Sequence, residues 1–470
     1  MISHEIMPSL LDARPKIQPS LDPNFQPLFL ANCRYREVVA AAAKKEPLAI
    51  ALERNAGLVT RWDLEIFALD SSHAEDSFCH VERTIKFLLW ARGGWKIYLA
   101  GPHALCERIR DCYSVSGARA FDVDLMTKVY GRPFEVCLVE PGEVPAERES
   151  TVSLGGHLDG CRIGFDLGAS DYKLAAVIDG EPVFSTEIPW NPRDEPDPAY
   201  HYRCLNDGLK LAASKMPRVD AIGGSSAGVF VDNQVMVASL FRAVPPADFE
   251  RLVKPMFLNL RKEWGVPLEV INDGDVTALA GAMSLKENAM LGIAMGSSQA
   301  GGYLDRNGTI TGWLNELAFA PVDLNPYAAV DEWSGDAGVG ALYFSQQAVN
   351  KLALAASWSF PPEVGLPERL IVAQEKLAAG DPIARKIFES IGVYLGYSIP
   401  LYADFYDFKN LLILGRVTSG EGGEIILQTA REVLQTEFAD LARKVKLVVP
   451  DEKSRRVGQA VAAASLPRCD

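Results

Sequence analysis

The stretch PLEVINDGDVTALA (residues 267–280) sets the fold class of this chain. It opens as a short apolar run, the pattern of a buried strand, and the strand ends on Asn272-Asp273, a carboxylate placed directly after apolar residues. Just upstream, between Phe249 and Leu260, apolar residues fall at 249, 252, 253, 256, 257 and 260, the spacing of one face of a helix. Three more segments repeat the theme of an apolar strand running into small residues: FDLGAS (165–170), AMGSSQAGG (294–302) and ILGRVTSGEGG (413–423). The last leads into the helical pattern IILQTAREVLQTEF, and KLVV (446–449) follows as a further strand. Strands alternating with helices predict layered α/β architecture.

Outward from this back part, residues 144–160 are poor in large apolar side chains and rich in turn formers, which predicts a linker at 151–160. In front of it, residues 1–150 read as a smaller α+β unit of unknown role. It has strands at 47–53 and 61–69, a helix at 81–91, then the strand WKIYLAG and a helix from His103. Behind it, RIGFDLG and KLAAVID are strands, and Asp179-Gly180 is a hairpin turn into PVFSTEI.

The 470 residues carry a formal charge of −14, which excludes a general affinity for nucleic acid or anionic lipid, since both need clustered Lys and Arg. Eight scattered cysteines without a C-x-x-C pair read as reduced thiols, and no apolar run is long enough for a membrane span. A cytoplasmic protein is expected. His73, His80 and His103 lack metal-ligand spacing.

Glycine and serine at strand ends let backbone N–H groups approach an anion with no Cβ in the way, as a phosphate chain requires. Phosphoryl transfer also needs a carboxylate to hold hydrated Mg²⁺ and a base for the attacking hydroxyl. Asp166 and Asp273 suit those two tasks. By spacing alone, each is equally well a helix cap or an Asx turn.

In their order these motifs resemble the ROK family (repressor, open reading frame, kinase) of the actin, hexokinase and Hsp70 superfamily, from about Cys161 to about Ser465. The family's D-x-G-G-T segment is similar to Asp166-Leu167-Gly168-Ala169-Ser170, and its G-V-G-V-P-G stretch to residues 223–228 with Ser225 and Ser226. E-N-D-A-N-A-A-A-L-G is similar to 271–280, L-G-T-G-V-G-G-G to 295–302, and the adenosine-side segment to Leu414-Gly415 with Gly420. The resemblance implies a two-lobed, actin-like (ribonuclease H-like) α/β fold at 161–470 with an interlobe cleft. It implies Asp273 as general base and Asp166 holding Mg²⁺ through water. Nucleotide binding then falls to Gly168, Ala169, Ser170, Gly296, Ser297, Ser298, Gly415 and Gly420. Substrate binding falls to Asn272, Glu316, Ser225 and Ser226. ATP and Mg²⁺ are the implied cofactors, a sugar or polyol the implied substrate, and a homodimer the expected assembly.

The departures from the family pattern are specific. G-E-I-G-H becomes Asn315-Glu316-Leu317-Ala318-Phe319, so the sugar-contacting Glu stays and the His goes. Glu332, Ser334 and Val339 stand in the cysteine positions of the family's zinc motif and Ala341 in that of its glutamate, so no zinc is expected. Asp171 occupies the place of a common Lys. Arg416 replaces a glycine, where it either salt-bridges internally, the preferred role, or contacts ATP. Two functions therefore stand side by side: an ATP-dependent sugar or polyol kinase, and a non-catalytic ligand-binding regulator that has lost standard hexose contacts. The front part lacks a helix-turn-helix pattern with a basic recognition helix, which argues against DNA binding.

Overall fold

The computed structural model describes residues 10–68, 71–150, 154–449 and 452–469, and of 452–457 the backbone alone. Residues 151–153 of the expected linker lie outside the described residues; 154–160 run without helix or strand.

Three sheets organise the chain. The front part holds β1 (Lys45–Glu53), β2 (Val59–Phe67), β3 (Lys96–Ala100) and β4 (Glu135–Leu138) in the order β2-β1-β3-β4, with only β3 and β4 parallel. The first lobe holds β5 (Cys161–Leu167), β6 (Asp171–Ile178), β7 (Glu181–Pro189) and β8 (Ala221–Ser226). After the small hairpin of β9 (Val229–Val231) and β10 (Gln234–Val237), β11 (Leu268–Asn272) completes its sheet in the order β11-β8-β5-β6-β7. The second lobe holds β12 (Met290–Met295), β13 (Gln299–Leu304), β14 (Asn410–Leu414) and β15 (Lys446–Val448), ordered β13-β12-β14-β15. In each lobe an antiparallel hairpin continues into parallel strands, so several strand ends of one polarity gather at the same edge. Ligands of α/β sheets bind outside such carboxyl ends.

The expected helix at 249–260 is broken. Residues Phe249–Val253 form a π-turn in which Lys254 N–H donates to the Phe249 carbonyl at 2.9 Å, and the α-helix restarts at Met256–Trp264. Pro255 is the cause, because it has no N–H to continue the ladder and its ring crowds the preceding turn.

The first lobe has a core of its own, built around Phe165, Leu174, Phe257 and Leu260. The second lobe has one on a single face of its sheet, where Val276, Leu279, Met290, Leu304 and Leu412 pack with Ala462 and Leu466; its other face is covered differently. One continuous apolar cluster runs from Tyr35, Ile85, Trp90 and Met126 of the front part to Ile293, Tyr343, Tyr402 and Ile413 of the second lobe. Phe87 stacks on Phe405 at 4.1 Å and Phe25 meets Tyr394 edge-on at 4.8 Å. The C-terminal helix Glu452–Ala464 returns to the first lobe and lies flat on its sheet. A Cβ on Gly164 or Gly223 would fall 1.7 Å from the carbonyl oxygen of Ala460 or Ala463, so only glycine permits that approach.

Candidate active site

The site begins with strand register. Asp166 on β5 sits beside Ser225 on β8 and beside Lys173 on β6. Ser225 Oγ donates to Asp166 Oδ1 at 2.8 Å, and Lys173 Nζ approaches Oδ2 at 3.5 Å. Asp166 is 7% exposed, and burial raises its pKa while Lys173 and Ser225 pull it back.

At the end of β11 the helix Asp273–Leu285 starts, and its cap is Asn272, not Asp273. Asn272 Oδ1 accepts the N–H of Gly274 at 2.7 Å, and its Nδ2 donates to the Gly228 carbonyl at 2.7 Å. The neighbouring carboxylate is thereby relieved of the structural task that its spacing allowed. Asp273 is half-buried, and burial together with the charge of Asp166 pushes its pKa up to about 6, against the pull of the amides of Gly274 and of Asp273 itself. Glu316 is raised to about 7 by burial and then by the charges of Asp273 and Asp275. Asp275 is likewise raised to about 7, chiefly by burial, although it accepts from Tyr303 N–H at 3.0 Å and Asn315 Nδ2 at 2.9 Å. Asp166, Asp273, Asp275 and Glu316 thus form one acidic cluster whose members feel each other's charge. Raised carboxyls gathered at strand ends are a physical mark of an acid–base site.

Glu316 is set in place by the front part. The helix Ala74–Arg92 ends with carbonyls that lack partners within the helix, and residues 314–316 supply them. Leu314, Asn315 and Glu316 N–H groups donate to the carbonyls of Arg92, Ala91 and Trp90 at 3.3, 3.0 and 3.0 Å. The Tyr406 hydroxyl fixes the adjoining Asn315 at 3.0 Å.

The segment around Asp336, where the motif cysteines are replaced, is held by buried ion pairs with the front part. Asp336 meets Arg83 at 3.1 Å, Lys86 at 3.2 Å and Arg119 at 2.9 Å, all nearly closed to solvent. Burial alone would raise the Asp336 carboxyl, but Arg83 and Lys86 hold it below its ordinary value. Glu82 and Asp122 complete the network.

The loops expected to contact phosphate are turns at strand ends of the two lobes. Gly168-Ala169-Ser170 is the turn between β5 and β6, with Ser170 exposed and its hydroxyl on Asp171 at 2.9 Å. Gly296-Ser297-Ser298 is the turn between β12 and β13, with both serines exposed. Gly415, at φ +109°, passes so close to Met295 that a Cβ there would meet its carbonyl at 2.4 Å. The Gly415 segment and the 296–298 turn are therefore neighbours. Gly420 precedes the helix Glu421–Glu437. Ser226 is buried with its Oγ unpartnered. Arg416 departs from the expected internal salt bridge: its side chain points into solvent, exposed at the start of the short turn 416–418, and makes no ion pair among the described residues.

Among the described residues no group of three or more His, Cys, Asp or Glu side chains could hold a metal ion alone. Mg²⁺ is ordinarily bound by one or two carboxylates together with phosphate oxygens and waters, so Asp166 with a phosphate chain fits that mode. Lys173 was not signalled by any motif. It lies two residues beyond Asp171 on the same strand face, and alternation along β6 is the only sequence cue to it.

No family model matches this sequence, and no curated protein matches it. Solved structures do match. A ROK hexokinase from Thermus thermophilus is 18% identical with a TM-score of 0.51, covering 64% of this chain and 97% of that one. A ROK family transcriptional regulator, a homolog of the E. coli MLC protein, is 19% identical with a TM-score of 0.52, covering 65% and 78%. Over about two thirds of its length, this chain has the fold of ROK proteins.

Proposed function

We propose that this chain is an ATP-dependent phosphotransferase that uses Asp273 as general base toward a hydroxyl of a sugar or polyol. The observation that carries this reading is the acidic cluster, in which Asp273, freed from capping and raised to about 6 by burial and the charge of Asp166, in turn raises Glu316. A base with that affinity is deprotonated at neutral pH and still accepts a proton as the hydroxyl attacks phosphorus. Asp166 would hold hydrated Mg²⁺, which neutralises charge on the phosphates when bound. Lys173 stands on the same strand row, and Glu316 orients the acceptor. The turns at 168–170 and 296–298, with Gly415, offer backbone N–H groups to the nucleotide.

A ligand-binding regulator is the second reading, and Asn272 favours it, because both of its polar groups are spent inside the chain rather than free for a sugar. ATP consumption over a panel of neutral sugars and polyols, run beside Asp273→Asn, separates the two. The kinase reading expects at least one acceptor to support turnover that the variant lacks. If none exceeds the variant and calorimetry shows no Mg-ATP binding, that reading is wrong.

A further inference from the structure

The turn between β5 and β6 has few donors to spare. Gly168 N–H donates to the Asp171 carbonyl at 3.0 Å, and the Ser170 hydroxyl donates to Asp171 Oδ2 at 2.9 Å. The backbone N–H groups of Ala169 and Ser170 have no partner among the described residues. Donors of this kind serve an oxyanion only where the carbonyls of the same turn face elsewhere, because a carbonyl oxygen repels a phosphate oxygen.

Trp190 decides where those carbonyls point. It directly follows β7, the strand at the sheet edge farthest from β11, and it grips the turn twice. Its indole Nε1 donates to the Gly168 carbonyl at 2.8 Å, and its own backbone N–H donates to the Ser170 carbonyl at 3.1 Å. A trans peptide sets its N–H opposite its C=O, so tying down the Gly168 carbonyl turns the Ala169 N–H away from the indole. The strands β8 and β11, which carry Ser225 and lead to Asp273, lie on the other side of this turn from β7.

The indole is locked in its orientation. Trp190 is 7% exposed, and its ring meets Tyr172 edge-on at 5.2 Å and His201 edge-on at 6.3 Å. His201 is fully buried in turn, with Nε2 at 2.9 Å from the Pro192 carbonyl. Packing at this place asks only for an aromatic ring. The N–H aimed at the Gly168 carbonyl is the part that a phenylalanine would lack.

We propose that Trp190 is a positioning residue for nucleotide binding: its indole N–H holds the Gly168 carbonyl back, so that the Ala169 N–H, with that of Ser170 beside it, is presented to phosphate. The inference rests on the nucleotide reading above and adds to it a residue outside the glycine- and serine-rich turns themselves.

Trp190→Phe keeps an aromatic ring in the core and removes the indole donor. Trp264→Phe is the matched control, because it removes an indole N–H of the same lobe that donates to Asn206 Oδ1 at 2.9 Å instead of to the turn. Calorimetry on the full chain with Mg-AMPPNP, beside melting curves of each protein, reads binding and stability apart. The wild type should bind, and Trp190→Phe should bind about tenfold more weakly, the scale of one hydrogen bond. Trp264→Phe should bind as the wild type does, even where its melting point falls as far. A benzothienyl analogue of Trp190, in which sulfur replaces the indole N–H, should show the same tenfold loss and stands in if Trp190→Phe does not fold. Wild-type affinity without the indole donor, or an equal loss in Trp264→Phe, overturns the inference and leaves the nucleotide reading standing. A wild type that does not bind Mg-AMPPNP overturns both.

Discussion

The first lobe buries its own core around Phe165 and Phe257, whereas the second lobe packs one sheet face on its own residues around Met290 and Leu412 and shares the core on the other with the front part, from Tyr35 to Met126. The same division runs through the candidate site. Asp166, Ser225 and Lys173 are placed by the register of three adjacent strands within one sheet. Glu316 is placed by hydrogen bonds to the end of a front-part helix more than two hundred residues earlier in the chain, and the nearby loop at Asp336 by front-part cations. The Asp166 side of the acidic cluster is thus self-contained, and the Glu316 side is built on the front part. The sequence departs from the ROK pattern in the segment that holds Glu316 and Asp336, where Phe319 stands in the place of the His and Glu332, Ser334 and Val339 in those of cysteines. A buried ion-pair network at Asp336 now ties that segment to the rest of the fold.

The largest test of this asymmetry is removal of residues 1–150. The truncated chain should lose the second lobe's cooperative fold and aggregate, because its apolar face would be left open to water; a soluble protein with an unchanged melting profile would refute the shared core. Next in size is Asp336→Ala, which leaves Arg83, Lys86 and Arg119 with a carboxylate deficit in a buried place. Denaturant unfolding should register a loss of about 3–5 kcal/mol, the range for breaking buried pairs.

A smaller effect distinguishes the acidic cluster from the ion-pair network. Asp273, Asp275 and Glu316 have folded pKa values raised above their unfolded ones, so the folded state binds more protons than the unfolded state between about pH 4 and pH 7. Stability contributed by these groups is therefore present at low pH and is lost as pH rises through about 6 to 7. Asp275→Asn, which can keep its acceptor oxygen for Tyr303 and Asn315, should flatten that slope. It should add on the order of 1–3 kcal/mol at pH 8, read from melting curves across pH.

The legible and illegible parts of the molecule divide along the same line. Asp166 and Asp273 can be found because a carboxylate directly after an apolar strand leaves a local mark, and the strands at 161–189, 268–272 and 410–414 carry plain apolar patterns. The break at Pro255 is also local, since a proline removes the N–H that the helical ladder needs. The attachment of Glu316 to the carbonyls of residues 90–92 has no such mark, since backbone groups pair without regard to side chain. The network at Asp336 joins charges from three distant segments, each of which reads alone as a solvated surface group. Asn272 as the cap, in place of Asp273, could be decided only by the angle at which the chain enters the helix.

The most direct test of the central claim is the pH dependence of phosphate transfer to an acceptor hydroxyl under saturating Mg-ATP. With Asp273 as the base, the rate should fall about tenfold per unit below a limb near pH 6, since protonation removes the acceptor of the hydroxyl proton. Asp273→Asn should lower the plateau rate by about 10²–10⁴-fold while the protein stays folded. A rate that is flat through pH 6, or a variant that retains the wild-type plateau, would contradict the account.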